Sequence, residues 1–178
     1  MSITLSDIAK EAGITRGAIY WHFKDKANLF QALSDSIGSA PGVRIEDTPK
    51  ESFLSLDEVR DFALGYLFRF ETDDRFRSFY EVVNYKTEYH EELEPVLAKE
   101  RTKTRRVKQH LTTIFKTLQE QGLMRKDLDP GHAAISACAF VWGLINVWML
   151  DKTLFSMKDA APALIDHFFK NMEPNPNE

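Results

Sequence analysis

A chain of 178 residues that is 43% apolar and 28% charged can bury one sizeable core or two small ones, and it has the balance of an ordinary globular protein. Its formal net charge of −4 excludes a protein that grips nucleic acid through an overall positive field, so any such contact must be a local patch. The single cysteine, Cys138, excludes an internal disulfide and a cysteine-rich zinc site, while 13 phenylalanines supply surplus aromatic surface for a core, a greasy pocket or both.

Caps and periodicity divide almost the whole chain into helices. Thr4 is a natural N-cap, with Asp7 three residues on to reach back to it. Leu5, Ile8, Ala9 and Ala12 make the inner face of a short helix that Gly13 ends, because the left-handed backbone costs least at glycine. Thr15 caps a second helix over 16–23, and Asp25 a third over 26–36 that carries Leu29, Phe30 and Leu33 inward. Residues 39–54 hold Pro41, Gly42 and Pro49, lack periodicity and read as a linker. Ser55 with Glu58 forms a capping box for a helix over 55–71, and Asp73 or Asp74 starts another that runs to 86. The acidic stretch 87–95 breaks at Pro95, and a long helix over 96–121 stops at Gly122. Asp129-Pro130 is an N-cap followed by an N1 proline, opening an apolar helix to 152. Ser156 with Asp159 caps a last helix to 172, and 173–178 is a tail. The pattern predicts an all-α fold with a short helical unit over 1–38, a linker over 39–54 and a larger helical unit over 55–172.

The apolar run AAISACAFVWGLINVWML at 133–150 reaches the lower limit for a membrane span. Ser136, Gly143 and Asn146 interrupt it and no basic belts flank it, so burial between helices or in a subunit interface is expected, with no membrane partner. The opening residues lack a secretory signal, and a cytoplasmic protein is expected.

Two short helices joined by a glycine turn make a helix-turn-helix, whose second helix enters the DNA major groove and reaches base edges with its first residues. On 16–23, Ile19 and Phe23 share an inward face, leaving Arg16, Gly17 and Tyr20 outward. Arginine can grip guanine O6 and N7 with two bonds, and glycine lets the backbone approach closely. Tyr20 offers a ring to a thymine methyl, and Thr15, His22 and Lys26 are placed for phosphate. Against this, residues 1–40 carry Lys10, Arg16, Lys24 and Lys26 opposite Asp7, Glu11, Asp25 and Asp35, a local charge of zero. Periodicity alone leaves a DNA reader and a plain helical hairpin both open.

The string IAKEAGITRGAIYWHFKDKANLF at 8–30 resembles the helix-turn-helix of the TetR family of bacterial transcriptional repressors. The wording TRGAIYWHF is most similar to the AcrR-type branch of multidrug-efflux repressors. Glu81, Lys86, Glu88 and Tyr89, and the run from Val141 to Trp148, resemble that branch's regulatory domain. The resemblance implies a DNA-facing set of Thr4, Thr15, Arg16, Gly17, Ala18, Tyr20, Trp21, His22 and Lys26, and a helical ligand-binding and dimerisation domain over 55–172. The family's pattern also has a helix and basic arm ahead of this motif, whereas the sequence opens at the N-cap of the family's second helix. Without that helix Ile8, Ile19, Phe23 and Phe30 lose a packing wall, so weak DNA binding or a truncated start is expected.

For the larger unit, Ala63, Tyr66 and Phe70 fall on one stripe, Tyr80 and Asn84 stack with Val83 beside them, and Cys138 and Trp142 lie four apart. Facing one another, these stripes would enclose an aromatic cavity with a few polar handles, suited to flat apolar molecules. The plainer alternative is that the aromatics fill core. The basic run at 99–108 reads as a solvated face paired with the acids at 88–94. Scattered histidines, no glycine-rich phosphate loop and no nucleophile–base arrangement leave no metal, cofactor or catalytic site to name. Trp142, Val147, Leu150 and Leu154, with Ala161, Leu164, Ile165, Phe168 and Phe169, are the expected homodimer face, two helices from each subunit.

The sequence therefore predicts a non-enzymatic, homodimeric repressor. It would bind a palindromic double-stranded operator and leave it when a small apolar or aromatic effector binds; the resemblance implies that the operator controls an efflux transporter. The alternative is a small-molecule sensor that has lost DNA binding through the shortened N-terminus.

Overall fold

The computed structural model describes residues 3–38, 44–82 and 94–174, and every regular element among them is helical. Three short helices come first: α1 (Leu5–Glu11), α2 (Arg16–His22) and α3 (Lys26–Gly38). The Thr4–Asp7 capping box forms in full, with the Asp7 N–H donating to Thr4 Oγ1 at 3.2 Å and the Thr4 N–H donating to Asp7 Oδ2 at 2.9 Å. Thr15 Oγ1 accepts from the Ala18 N–H at 3.1 Å, and Asp25 Oδ1 from the Asn28 N–H at 2.7 Å. Gly13 turns the chain between α1 and α2 at φ +67°. Leu5, Ala9 and Ile19 form the small buried centre of this unit, with Ile8, Phe23 and Leu29 against it. Ala12 stays exposed, against the expected inner face.

The segment 39–54, read from sequence as a linker, is partly core. Its described part makes two 3₁₀ turns, Ile45–Asp47 and Lys50–Ser52, and buries Ile45 and Phe53 in the main core. Two apolar anchors among polar and proline residues are too few for periodicity to reveal, yet each gains by leaving water.

Five helices follow: α4 (Leu56–Thr72), α5 (Asp74–Glu81), α6 (Glu94–Glu120), α7 (Pro130–Leu150) and α8 (Met157–Lys170). Helix α6 begins at Glu94 and carries Pro95 in its first turn, where a proline's missing N–H costs no hydrogen bond. Gly122, at φ +76°, closes it. Helices α6 and α7 pack side by side, α8 packs on α4, and α5 folds back over the end of α4. Leu67, Phe70, Ile114, Phe115, Leu118, Ile145 and Ile165 form the centre of this core.

Helix α7 is long and apolar enough to cross a membrane by length and composition. In the fold Ala133, Ala134, Ala137, Ile145 and Trp148 are buried, while Ile135, Val147 and Leu150 face outward. Helix α8 buries Met157, Ala161, Ile165 and Phe169. This corrects part of the expected subunit face: Ala161, Ile165 and Phe169 recur every four residues and turn toward their own chain's core. Phe168 is half-buried and stacks on Phe140, ring centroids 4.6 Å apart. The outward apolar patch comprises Ile135, Val147, Leu150, Leu154 and Leu164, whereas Trp142, expected in the same face, lines a cavity.

Candidate functional site

The α1–α2 unit presents one polar and aromatic face. Thr4, Thr15, Arg16, Gly17, Ala18, Tyr20, Trp21 and His22 are all exposed, and Lys26 is half-buried at the start of α3. Only Ile19, on the opposite side of α2, is buried there. The Arg16 guanidinium lies 5.4 Å from the centre of the Tyr20 ring, so the two side chains stand together one helical turn apart. Trp21 is 85% exposed, a large apolar side chain with no core role. The Thr15 oxygen caps α2 through Ala18, which leaves its hydroxyl hydrogen available to a phosphate oxygen.

A cavity of about 990 Å³ lies between α3, α4, α5, α6 and α7. Of the residues proposed from sequence, Ala63, Tyr66, Tyr80, Cys138 and Trp142 line it. Phe70 does not. It is 0% exposed, because α5 covers it: its ring meets Phe76 and Tyr80, each at 4.9 Å, and Tyr66 at 5.7 Å. It braces the aromatic wall from behind. Val83 and Asn84 lie outside the described residues.

Burial raises the Tyr66 hydroxyl's pKa well above its usual value and holds it neutral. Burial likewise pushes the Cys138 thiol up to about 11, which makes it a small apolar wall group and no nucleophile. Asn146 also lines the cavity and donates from Nδ2 to the Trp142 carbonyl at 2.7 Å.

The cavity has a polar end that sequence reasoning missed. Ser34 of α3, Arg44 just before the first 3₁₀ turn, Glu46 within it, and Glu100, Arg101, Lys103 and Arg105 of α6 line it. The basic run at 99–108, expected as a solvated face, thus contributes to an internal wall as well. Arg101 does pair with Glu94, but the remaining acids at 88–92 lie outside the described residues. Lys103 Nζ donates to Ser34 Oγ at 2.7 Å and to Glu100 Oε1 at 2.6 Å, and the Ser34 hydroxyl donates to the same Glu100 oxygen at 3.2 Å. Burial raises the Glu46 carboxyl above its ordinary pKa, with Asp47 adding to the shift and Arg44 and Lys103 opposing it. The only signal in the sequence was the spacing of Lys103, Val107 and Leu111, four apart on one face of α6, all of which line the cavity.

An exposed helix-turn-helix face joined by one helix to a helical unit with an aromatic cavity defines a class: regulators that read DNA with one unit and sense with another. The comparisons with known proteins agree. The model of bacterial regulatory proteins of the tetR family matches residues 2–33, and that of the C-terminal region of MAATS-type transcriptional repressors matches residues 55–174. The HTH-type transcriptional regulator AcrR of Shigella flexneri is 31% identical over 161 residues, spanning 90% of this chain and 75% of that protein. Among solved structures, NalD of Pseudomonas aeruginosa, the secondary repressor of the MexAB-OprM multidrug efflux pump, superposes with TM-score 0.83 at 24% identity, covering 96% of this chain and 86% of its own. A SmeT–triclosan complex superposes with TM-score 0.81 at 21% identity, covering 98% and 83%. The chain belongs to the TetR family of bacterial transcriptional regulators.

Proposed function

We propose that this protein is a homodimeric repressor that binds a palindromic operator through α1–α2 and releases it when a small aromatic effector fills the cavity. One observation carries the reading: Ser34 and Ile37 of α3, the helix that leaves the DNA-reading unit, line the same cavity as Tyr66 and Trp142. An effector there touches the reader directly. It changes operator affinity to the extent that it binds one placement of α3 better than the other. The ring contact of Phe30 on α3 with Phe79 on α5, 5.5 Å between centroids, is a second link through which the cavity wall holds α3.

The DNA-facing set is Thr4, Thr15, Arg16, Gly17, Ala18, Tyr20, Trp21, His22 and Lys26, with Arg16 and Tyr20 at the base edges. The effector set is Ala63, Tyr66, Tyr80, Cys138 and Trp142. The outward patch of α7 and α8 supplies the subunit face, and a twofold pair places two copies of α2 about 34–36 Å apart for successive major grooves. The target read here is an efflux-transporter operon, a reading supported by the described role of NalD, and the protein is read as a cytoplasmic regulator without catalysis. The triclosan bound to a neighbour of the same fold supports an aromatic effector.

The test is fluorescence anisotropy with the gene's own upstream DNA at fixed salt, because phosphate contacts make affinity salt-dependent. Arg16→Ala is expected to weaken binding by about 1–3 kcal/mol, the loss of one bidentate base contact, and Tyr20→Ala to weaken it as well. Equal binding by the parent and Arg16→Ala, or no binding by the parent, overturns the reading.

A further inference from the structure

We propose that Tyr66 sets the specificity of the cavity: its hydroxyl donates to a carbonyl or ether oxygen of an uncharged aromatic ligand. The proposal rests on the reading of the cavity as the effector site. It adds the chemical class of the ligand and the residue that selects it.

The charged end of the cavity is already balanced. Lys103 bonds Glu100 at 2.6 Å, Arg44 faces Asp47 at 3.8 Å, and Arg101 pairs with Glu94. Arg105 is exposed to solvent, and Glu46 has Arg44 and Lys103 as attracting neighbours. A charged ligand would give up its water without meeting a free counter-charge, or would have to break a satisfied pair. An uncharged ligand meets neither cost.

Tyr66 stands apart from these pairs. Its ring lies edge-on to Phe70 and Phe76, each 5.7 Å between centroids, so the aromatic wall holds it in place. The groups that act electrostatically on its hydroxyl include Tyr80, Glu46 and Glu100, all of which line the cavity. The phenolic oxygen therefore looks into the space where the aromatic and charged ends meet. No hydrogen bond reaches it among the described residues. Burial first, then those neighbours, hold the proton on the oxygen, with Arg69 opposing, so Tyr66 is a donor. Phe62 and Ala63, one turn earlier on α4, and Phe76 line the cavity with it and carry no acceptor.

A donor in such a place needs a partner. A ligand that fills the aromatic end displaces the water that would serve it. A ligand oxygen replaces the lost bond, whereas a hydrocarbon of the same shape leaves the hydroxyl unpaired. Discrimination comes from that penalty more than from the bond itself. The Trp142 indole N–H is a second aromatic donor on the lining, but its side chain is 37% exposed and keeps contact with solvent.

The experiment offers the full chain, at fixed pH and salt, 2-acetonaphthone and 2-isopropenylnaphthalene, which differ only in a carbonyl oxygen replaced by a methylene. Equilibrium dialysis reads affinity, and anisotropy of a pre-formed operator complex reads release. The hydrocarbon leaves water more readily, so the quantity compared is the ratio of the two dissociation constants in the parent and in Tyr66→Phe. That ratio is expected to move by about tenfold or more toward the hydrocarbon in the variant. The infrared carbonyl stretch of the ketone gives a reading on the unaltered chain: bound to the parent, it should lie below its value in dry hexane. A ratio unchanged in Tyr66→Phe, a ratio that moves only in Trp142→Phe, or a bound stretch equal to that in hexane overturns the proposal. If both probes bind and release the operator with the ratio unmoved, the proposal fails while the effector-site reading stands. If the ratio moves as expected and the operator is not released, the ligand class stands and the effector-site reading fails. If neither probe binds, both fail.

Discussion

Replacing Ile165 by alanine separates the two roles that helix α8 could serve. Ile165 is 0% exposed, and its stripe partners Met157, Ala161 and Phe169 are buried with it against the chain's own core. Deleting most of a buried isoleucine costs about 2–5 kcal/mol, more when the site cannot collapse. Helix α4 packs against α8, and Ile165's stripe neighbours Ala161 and Phe169 are themselves buried, which leaves little room for collapse, so the upper half of that range is expected. In a domain of this size a loss of 1 kcal/mol lowers Tm by about 2–4 °C, giving a drop of about 7–20 °C. The assay is thermal unfolding at two protein concentrations, with sedimentation velocity alongside. Ile165→Ala should lower Tm and leave the subunit association intact. Leu150→Asp is the counterpart: Leu150 is 86% exposed, so the subunit's own packing loses nothing, while the proposed dimer gains an unpaired charge at its apolar face. That variant should sediment as a monomer, and its Tm should no longer depend on concentration. If Ile165→Ala leaves Tm within about 2 °C yet dissociates the subunits, the stripe faces a partner and the packing argument is wrong.

Two further perturbations test how the sensing unit is held together. Glu71 on α4 accepts from the Met157 N–H at 3.2 Å and the Lys158 N–H at 3.0 Å, so a carboxylate closes the N-terminus of α8 from another helix. Glu71→Ala is expected to cost about 1–3 kcal/mol in urea unfolding, and a loss indistinguishable from zero would mean the contact is not made in solution. His110 is half-buried, packs edge-on against Phe53 at 6.4 Å, and its Nε2 has no hydrogen-bond partner among the described residues. Burial, and then Lys50, lower its pKa below the usual 6.5, while a backbone bond to Thr48 works the other way. The unfolded chain therefore binds more protons than the folded one just below that value, and His110's share of stability is lost as pH falls through the folded pKa. Stability should decline as pH falls below 6.5, and His110→Phe should flatten that decline. A variant whose pH slope equals the parent's would show that His110 is not the group responsible.

The parts of this protein that rest on local chemistry were legible in the sequence. Thr4, Thr15, Asp25, Ser55, Asp129 and Ser156 cap helices because their side-chain oxygens reach nearby N–H groups whatever lies elsewhere in the chain. Gly13 and Gly122 end helices for an equally local reason, the cost of a left-handed backbone for any other residue. The outward set on α2 followed from the single buried position at Ile19 and the helical period. What lies across a gap between helices was not legible. Phe70 and Tyr66 both belong to the inner side of α4, and only the return of α5 decides that one is sealed and the other open to the cavity. Lys103 belongs to a run of charges that reads as surface, and becomes an inner wall group because Ser34, 69 residues away, meets it. The linker's Ile45 and Phe53, and α8's inward stripe, are likewise settled by what packs on them. Capping and turn energies depend on a few neighbouring atoms. Burial depends on partners brought from distant parts of the chain, and that is why the helices could be read one by one while their inner and outer faces were decided by the tertiary structure.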